Sequence, residues 1–379
     1  MKTKDNVLVD WVKSLFKISA IAILWLSLSL GISAASWNWQ DDSAILISKL
    51  PAKDAITDPQ AILRYALPID NDTIRKAQAD LEDIAKQVRA KRWTSIGRDV
   101  NSAANILTNR SDKILATVPE ERKEKAQTLL QQMQDEIVQL QAATEAKDKE
   151  TILDERNKLL SSLGDLEALM VKGFPFEIPS EYANLPKLMG RATVAMETTK
   201  GNLTIVVDGY SAPINAGNFV DLVQRGFYNG LDFSRGGDDF VIQSGDPAGE
   251  DDGFIDPKTG KYRSIPMEVL ISDEDKPIYG NTLEDLGIYL ANLALPFNAY
   301  GAVALASPAD DPNGGSSQFF FFKFDTELTP PGFNLMDGRY SVFGYVLDGK
   351  SVLEELTAKD KIISAKVIDG LDNLVQPRG

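Results

Sequence analysis

The sequence predicts a multidomain α and β protein: an N-terminal antiparallel helical bundle, then a strand-rich antiparallel β domain with flanking helices. Three observations carry this. The chain's 379 residues exceed the roughly 250–300 at which a single core stops growing, so two domains are expected. From about Asp41 to Lys172 it holds few Gly and many Ala, Leu, Gln, Glu, Lys and Arg, with apolar residues at helical spacing. Beyond a proline-punctuated stretch, short apolar runs separated by turn residues take over. A hydrophobic fraction of 43% with 25% charged residues places both parts among folded rather than disordered chains.

Residues 1–35 read as a secretory signal peptide. Lys2, Lys4, Lys13 and Lys17 precede an uncharged apolar run from Ile18 to Ile32, and Ser33-Ala34-Ala35 gives the small residues of a cleavage site. The run is shorter than the about 20 apolar residues of a spanning helix, so no stable membrane span is expected once the leader is removed. The product is expected to be exported, to a periplasm or a thylakoid lumen.

Residues 36–173 form the expected bundle of about four helices. Asp58-Pro59 reads as an N-cap with proline at the first helical position, opening a short helix that stops at Pro68. From Asp72, the positions Leu81, Ile84 and Val88 have helical spacing that continues through Ile96, Val100 and Leu107. Pro119, with Glu120, Glu121 and Glu124 suiting the positive end of a helix dipole, starts a long helix with the stripe Leu130, Met133, Ile137 and Leu140. Ala146–Glu150 is polar and bends or breaks it before Ile152, Leu159, Leu163, Leu166 and Leu169. One buried seam of Leu, Ile and Val is the simplest account, and the half reads as an interaction or regulatory module.

Residues 174–190 form a stiff linker punctuated by Pro175, Pro179 and Pro186. Residues 191–379 make the strand-rich domain. Val194 to Val207 reads as two strands joined at Lys200-Gly201-Asn202. Pro213 precedes a helix over Asn215–Arg225, and further strands are expected at Phe240–Gln243, Ala302–Ala306, Gln318–Phe324 and Val342–Val346. Short strands with turn signals argue a barrel or sandwich.

The chain has no cysteine and no histidine. There is therefore no disulfide framework, thiolate nucleophile, Ser-His-Asp triad or imidazole metal ligand. A formal charge of −15 argues against phosphate-driven binding, so no nucleic-acid partner is expected.

Three segments stand out: Leu231-Asp-Phe-Ser-Arg-Gly-Gly-Asp-Asp-Phe-Val-Ile-Gln-Ser-Gly-Asp246; Gly301-Ala-Val-Ala-Leu-Ala-Ser307 with Asn313-Gly-Gly-Ser-Ser-Gln-Phe-Phe320; and Leu335-Met-Asp-Gly-Arg-Tyr-Ser-Val-Phe-Gly344. Singly each is ordinary: an arginine on a surface, a buried run of phenylalanines, a common Asp337-Gly338 turn. In this order and at these separations they resemble the cyclophilin family of peptidyl-prolyl isomerases, from about Arg191 to Val375. The resemblance implies a closed antiparallel β-barrel with flanking helices and catalysis of rotation about X–Pro bonds. It implies that Arg235 donates towards the prolyl nitrogen, that Phe240, Val241, Phe320 and Met336 line the proline pocket, and that Gln243 orients Arg235 and the substrate, with Gln318 nearby. Ala306 and Ser307 would hold the residue before proline, with Leu335 and Tyr340 at the pocket edge. No bond is made or broken, so neither metal nor cofactor is expected, and the partners would be proline-containing polypeptides.

Most cyclophilins place methionine at Val241, asparagine at Ser307, tryptophan at Leu335 and histidine at Tyr340. The substitutions at Val241 and Leu335 predict a shallower pocket, and the indole missing at Leu335 predicts weak inhibition by cyclosporin-type compounds. Asp310-Asp311 in the loop after Ala306 add acidity near Arg235, and together these departures predict catalysis that is low but present. Residues from about Glu250 to Tyr300 exceed the family core. Their acidic clusters lack the periodic ligands of an EF-hand and read as a solvated, partner-facing insertion. Leader, bundle and barrel in this order resemble the multidomain cyclophilins of the thylakoid lumen, implicated in photosystem II assembly, and the helical part resembles an extrinsic four-helix photosystem subunit. The competing expectation is a non-catalytic scaffold whose groove the helical domain covers or assists.

Overall fold

A computed structural model describes residues 56–234, 240–308, 310–324 and 334–377. The expected leader, residues 1–35, lies outside the described residues, as does Arg235.

Helix α1 (Pro59–Tyr65) starts as its sequence dictates, with the Asp58 carboxylate accepting the Gln60 N–H at 2.9 Å and Pro59 in the first turn. Four long helices follow: α2 (Asp72–Arg89), α3 (Trp93–Asn109), α5 (Lys123–Ala146) and α6 (Lys149–Met170), with a single turn, α4 (Ser111–Leu115), between the second and third. Neighbours in sequence pack together, and α6 returns against α2, giving a closed bundle. The stripe Leu130, Met133, Ile137 and Leu140 is buried in one core with Leu81, Ile84, Ile96, Leu107, Leu159 and Leu163. The polar stretch after Ala146 breaks the helix: Lys147 turns left-handed at φ 55°, and Asp148 caps α6. Two details differ from the sequence reading. Lys91, at φ 54°, separates α2 from α3, a reversal that no Gly or Pro announces. Glu120–Arg122 form a 3-10 turn ahead of α5 rather than its first turn.

The strand-rich part is built on a seven-stranded antiparallel sheet. Its strands are β1 (Arg191–Thr198), β2 (Gly201–Asp208), β3 (Val241–Ser244), β4 (Ala302–Leu305), β5 (Phe319–Phe322), β6 (Val342–Asp348) and β7 (Ile362–Asp369), in the order β7-β1-β2-β6-β4-β5-β3. Alternation along the strands sorts side chains to two faces. Val194, Ile205, Val303, Phe319, Phe321 and Phe343 enter one core with Phe219 and Leu222 of helix α7 (Pro213–Gln224). Ala302, Ala304, Phe320, Phe322 and Tyr345 face the other way. A short helix, α8 (Lys350–Glu355), packs near β2.

The ladders do not close a barrel among the described residues. They curl a sheet whose edge strands, β7 and β3, are bridged by one short segment. Phe233 N–H donates to Asp360 O at 3.0 Å on the β7 side, and Ser234 N–H donates to Gln243 O at 2.8 Å on the β3 side. On the β7 side Gly230 N–H also donates to Ile362 O at 2.7 Å and Ile362 N–H to Leu231 O at 2.9 Å, but among the described residues the pairing amounts to one isolated bridge, Asp232 with Lys361, and not a ladder.

The stretch from Glu250 to Tyr300 is less solvated than its composition predicts. Asp251, Asp252 and Asp273–Asp275 are exposed, but Phe254, Ile265, Met267, Leu283, Leu295 and Phe297 are buried. Two minimal hairpins, Ile255–Asp256 with Lys261–Tyr262 and Glu268–Val269 with Ile278–Tyr279, organise it. Glu268 is also buried. Its carboxylate accepts the Ile214 and Asn215 N–H groups, each at 3.0 Å, so it caps α7 from another part of the chain.

Helix α1 joins the two halves. Ile62 and Leu63 pack on the outward sheet face with Phe322 and Tyr345, while Arg64 donates to Glu82 of α2. Arg191 donates to Leu63 O and pairs with the fully buried Asp208.

Candidate active site

On the outward face of the sheet, the register sets Phe320 of β5 opposite Gln243 of β3 on one side and Ala304 of β4 on the other. Val241 and Gln243 are two residues apart and share that face. Gln243 Nε2 donates to Gln318 Oε1 at 2.5 Å, and Gln318 Nε2 donates onward to the Asp252 carbonyl at 2.8 Å. Ala306 extends β4 past the sheet by donating its N–H to Gln318 O at 3.0 Å. These groups border an open groove of about 320 Å³.

Of the residues singled out in the sequence, Gln243, Val241, Ala306, Ser307, Gln318, Phe320, Met336 and Tyr340 all line this groove. Phe240 and Leu335 do not line it. Phe240, 60% exposed, sets its ring edge-on to Phe324 at 4.4 Å, and Leu335 is 88% exposed at the start of the 335–340 turn. The described lining residues fall between Val241 and Tyr340, and none of them comes from the helical bundle.

The floor is aromatic. Tyr340 meets Phe320 edge to face with centroids 5.4 Å apart, and Phe297 stacks on Phe320 from the other side. Sequence reasoning missed Asp252, Tyr262, Pro308, Gly314 and Ser316 as wall residues, and Phe297 beneath the floor. Except for Tyr262, in the two-residue strand Lys261–Tyr262, they lie in irregular backbone, and neither setting has a periodicity that announces which side chain points inward.

Asp252 is the one charged side chain among the described lining residues. Tyr262 stands beside it, its hydroxyl donating to Gly314 O at 3.0 Å; burial raises its pKa above the ordinary phenol value, and the Asp252 and Asp311 charges add to that. Asp337, in the turn that carries Met336, is pushed up to about 6 by burial, against backbone hydrogen bonds from Phe297 and Asn334 that favour its charged form.

An apolar floor flanked by a linked amide pair suits a small ring attached to a polar amide. Twisting an amide needs no nucleophile. The peptide barrier of about 18–20 kcal/mol falls when the apolar ring is held and hydrogen bonds are offered to the twisted state.

Comparison with known proteins is consistent with this geometry. Residues 58–171 match a family model described as peptidyl-prolyl cis-trans isomerase CYP38-like, PsbQ-like domain. Residues 193–369 match the model for cyclophilin type peptidyl-prolyl cis-trans isomerase/CLD. The chain is 61% identical over 359 residues to a putative thylakoid lumen peptidyl-prolyl cis-trans isomerase, sll0408, of Synechocystis sp., covering 95% of each chain. It is 42% identical over 347 residues to the chloroplastic peptidyl-prolyl cis-trans isomerase CYP38 of Arabidopsis thaliana, covering 89% of this chain and 78% of that one. Among solved structures, a Cryptosporidium parvum cyclophilin type isomerase aligns with TM-score 0.33 and 22% identity over 47% of this chain and 98% of its own.

Proposed function

Because the chain belongs to the cyclophilin-type peptidyl-prolyl cis-trans isomerases, in the branch that carries a PsbQ-like helical domain, we propose that its groove isomerises X–Pro bonds in polypeptide clients of the thylakoid lumen. The observation that carries this reading is Phe320 flanked on one sheet face by Val241 and the Gln243–Gln318 amide pair. The proline ring lies on Phe320 between Val241, Met336 and Tyr340. The backbone of Ala306 and Ser307 holds the preceding residue extended. Gln243 positions the twisting amide, and Arg235 donates to the nitrogen lone pair freed as resonance is lost.

The lumenal address follows the names of the Synechocystis and Arabidopsis relatives. The expected leader agrees with it, and no helix among the described residues is long and apolar enough to cross a membrane. Photosystem II subunits are the proposed clients, on the strength of the PsbQ-like description of the helical part. Catalysis is reduced relative to cyclophilins with a deeper pocket, because Val241 is short and Leu335 leaves the rim low. Proline-isomerisation rates of the wild type and Arg235→Ala test the reading. A large loss in the variant supports it, and equal rates overturn it.

A further inference from the structure

The turn that carries Met336 grips the backbone of Phe297 at both its N–H and its C=O. Phe297 N–H donates to Asp337 Oδ1 at 2.8 Å, and Asn334 Nδ2 reaches Phe297 O at 3.4 Å. The same two side chains hold their own turn in shape. Asn334 N–H donates to Asp337 Oδ2 at 3.0 Å, and Met336 N–H donates to Asn334 Oδ1 at 3.0 Å. Phe297 is fully buried with its ring against Phe320, and the preceding peptide is fixed by the Tyr345 hydroxyl donating to Pro296 O at 2.7 Å. Moving the clamp therefore moves the floor of the groove and the Met336 and Tyr340 wall together.

We propose that Asp337, assisted by Asn334, is a positioning residue of the isomerase site, locking Phe297 beneath Phe320 and setting the Met336–Tyr340 wall. This rests on the isomerase reading given above. Both Asp337 oxygens accept N–H donors, which only the carboxylate can satisfy fully. An amide in its place turns one acceptor into a donor facing a donor. Of the titratable groups packed around it, Tyr345 on β6 is engaged with Pro296, and Arg339 in its own turn pairs outward with Glu284 at 2.8 Å. Tyr340 turns its ring to Phe320. None of these offers the carboxylate a compensating charge, and burial pushes Asp337 up to about 6. The clamped carboxyl therefore takes up a proton more readily than an exposed one, so mild acidification does not by itself open the clamp.

The test is kcat and KM for an Ala-Ala-Pro-Phe peptide, measured by NMR exchange spectroscopy at pH 7.5 on full-length wild type, Asp337→Asn and Asn334→Ala. Asp337→Asn is expected to lower kcat/KM by about tenfold, mostly through KM. Asn334→Ala, which also stands in should Asp337→Asn fail to fold, raises KM by about threefold. Glu167→Gln, in the bundle, keeps the wild-type constants. Wild-type constants in either folded variant overturn the proposal while leaving the isomerase reading intact. A wild type without catalysis overturns both.

Discussion

The ring of Phe297 lies parallel to that of Phe320, with centroids 6.0 Å apart and planes 3° apart. Phe320 belongs to a sheet strand, whereas Phe297 comes from the irregular segment that precedes β4. The same Phe297 ring also meets Phe322 edge to face at 5.4 Å. The floor of the groove is thus two layers deep, and its lower layer comes from outside the sheet.

Removing that lower layer should be costly. Phe297→Ala is expected to destabilise the protein by about 3–5 kcal/mol, the usual range for emptying a buried aromatic site. Urea denaturation followed by circular dichroism measures it. A loss within about 0.5 kcal/mol of zero would mean that the segment collapses freely into the space and does not support Phe320.

The amide pair is open to a double-mutant cycle. Gln243→Ala and Gln318→Ala should each lower kcat/KM, and the double variant should lose less than the two losses combined. The expected coupling is about 0.5–1.5 kcal/mol, the net range of one hydrogen bond. Strict additivity would mean that the 2.5 Å contact between them plays no part in orienting the substrate.

In the sequence, strand alternation puts Val241 and Gln243, two apart on one strand, on the same face. Phe320 is placed in the pocket only through the resemblance of the Ser-Gln-Phe-Phe segment to the cyclophilins. Phe297 and Asp252 could not be placed, because irregular backbone gives sequence spacing no direction, and Tyr262 sits in a strand of two residues, too short to show alternation. Asp337 read as an ordinary Asp-Gly turn, since nothing local marks a carboxylate that reaches back forty residues to Phe297 N–H. Strand β7 was missed for a related reason. It is an edge strand whose register shifts at two points, leaving Ile363 and Ile368 exposed at 49% and 61% and spoiling the alternation. The break between α2 and α3 at Lys91 had no glycine to signal it. The bundle seam, by contrast, was legible because helical spacing and burial coincide at Leu130, Met133, Ile137 and Leu140.

Helix α1 is expected to matter for the stability of both halves. Ile62 is buried against the outward face of the sheet, so Ile62→Ala should cost about 2–5 kcal/mol. Thermal unfolding of the variant should show the β part losing stability, although the substitution lies in the helical region. An unchanged midpoint would sink the assignment of α1 as a joining element.

Stability should also rise on mild acidification. Glu167 is fully buried, its closest cation is Arg75 at 3.3 Å, and its Oε2 has no hydrogen-bond partner. Burial therefore dominates and pushes its carboxyl from 4.5 up to about 7. Between those values the folded chain holds a proton that the unfolded chain has released, so stability decreases as pH rises. The contribution is complete below 4.5 and is lost as pH climbs through about 7. The melting temperature of wild type should accordingly be higher at pH 5.5 than at pH 8, and Glu167→Gln, which cannot ionise, should reduce that difference. Glu268 and Asp337, raised by the same cause, act in the same direction. Asp221, held below the ordinary carboxylate range by Arg225, Gln376 and Arg263, acts only at lower pH.

The shallow pocket can be tested by deepening it. Val241 lines the groove, and Leu335, next in sequence to the lining Met336, is 88% exposed, so both positions have room for a larger side chain. Val241→Met extends the wall towards the bound ring. Each additional buried methylene-sized group contributes about 0.8 kcal/mol, or roughly fourfold, if the substrate covers it in the twisted state. Leu335→Trp adds an aromatic edge and an indole N–H that can donate to a bound peptide carbonyl. The double variant should therefore isomerise proline faster than wild type, and it should gain affinity for cyclosporin-type inhibitors, which isothermal titration can read. Faster catalysis without tighter inhibitor binding would assign the gain to Val241→Met alone. If neither changes, pocket depth does not limit this enzyme, and the proposal that a shallow pocket lowers its activity fails.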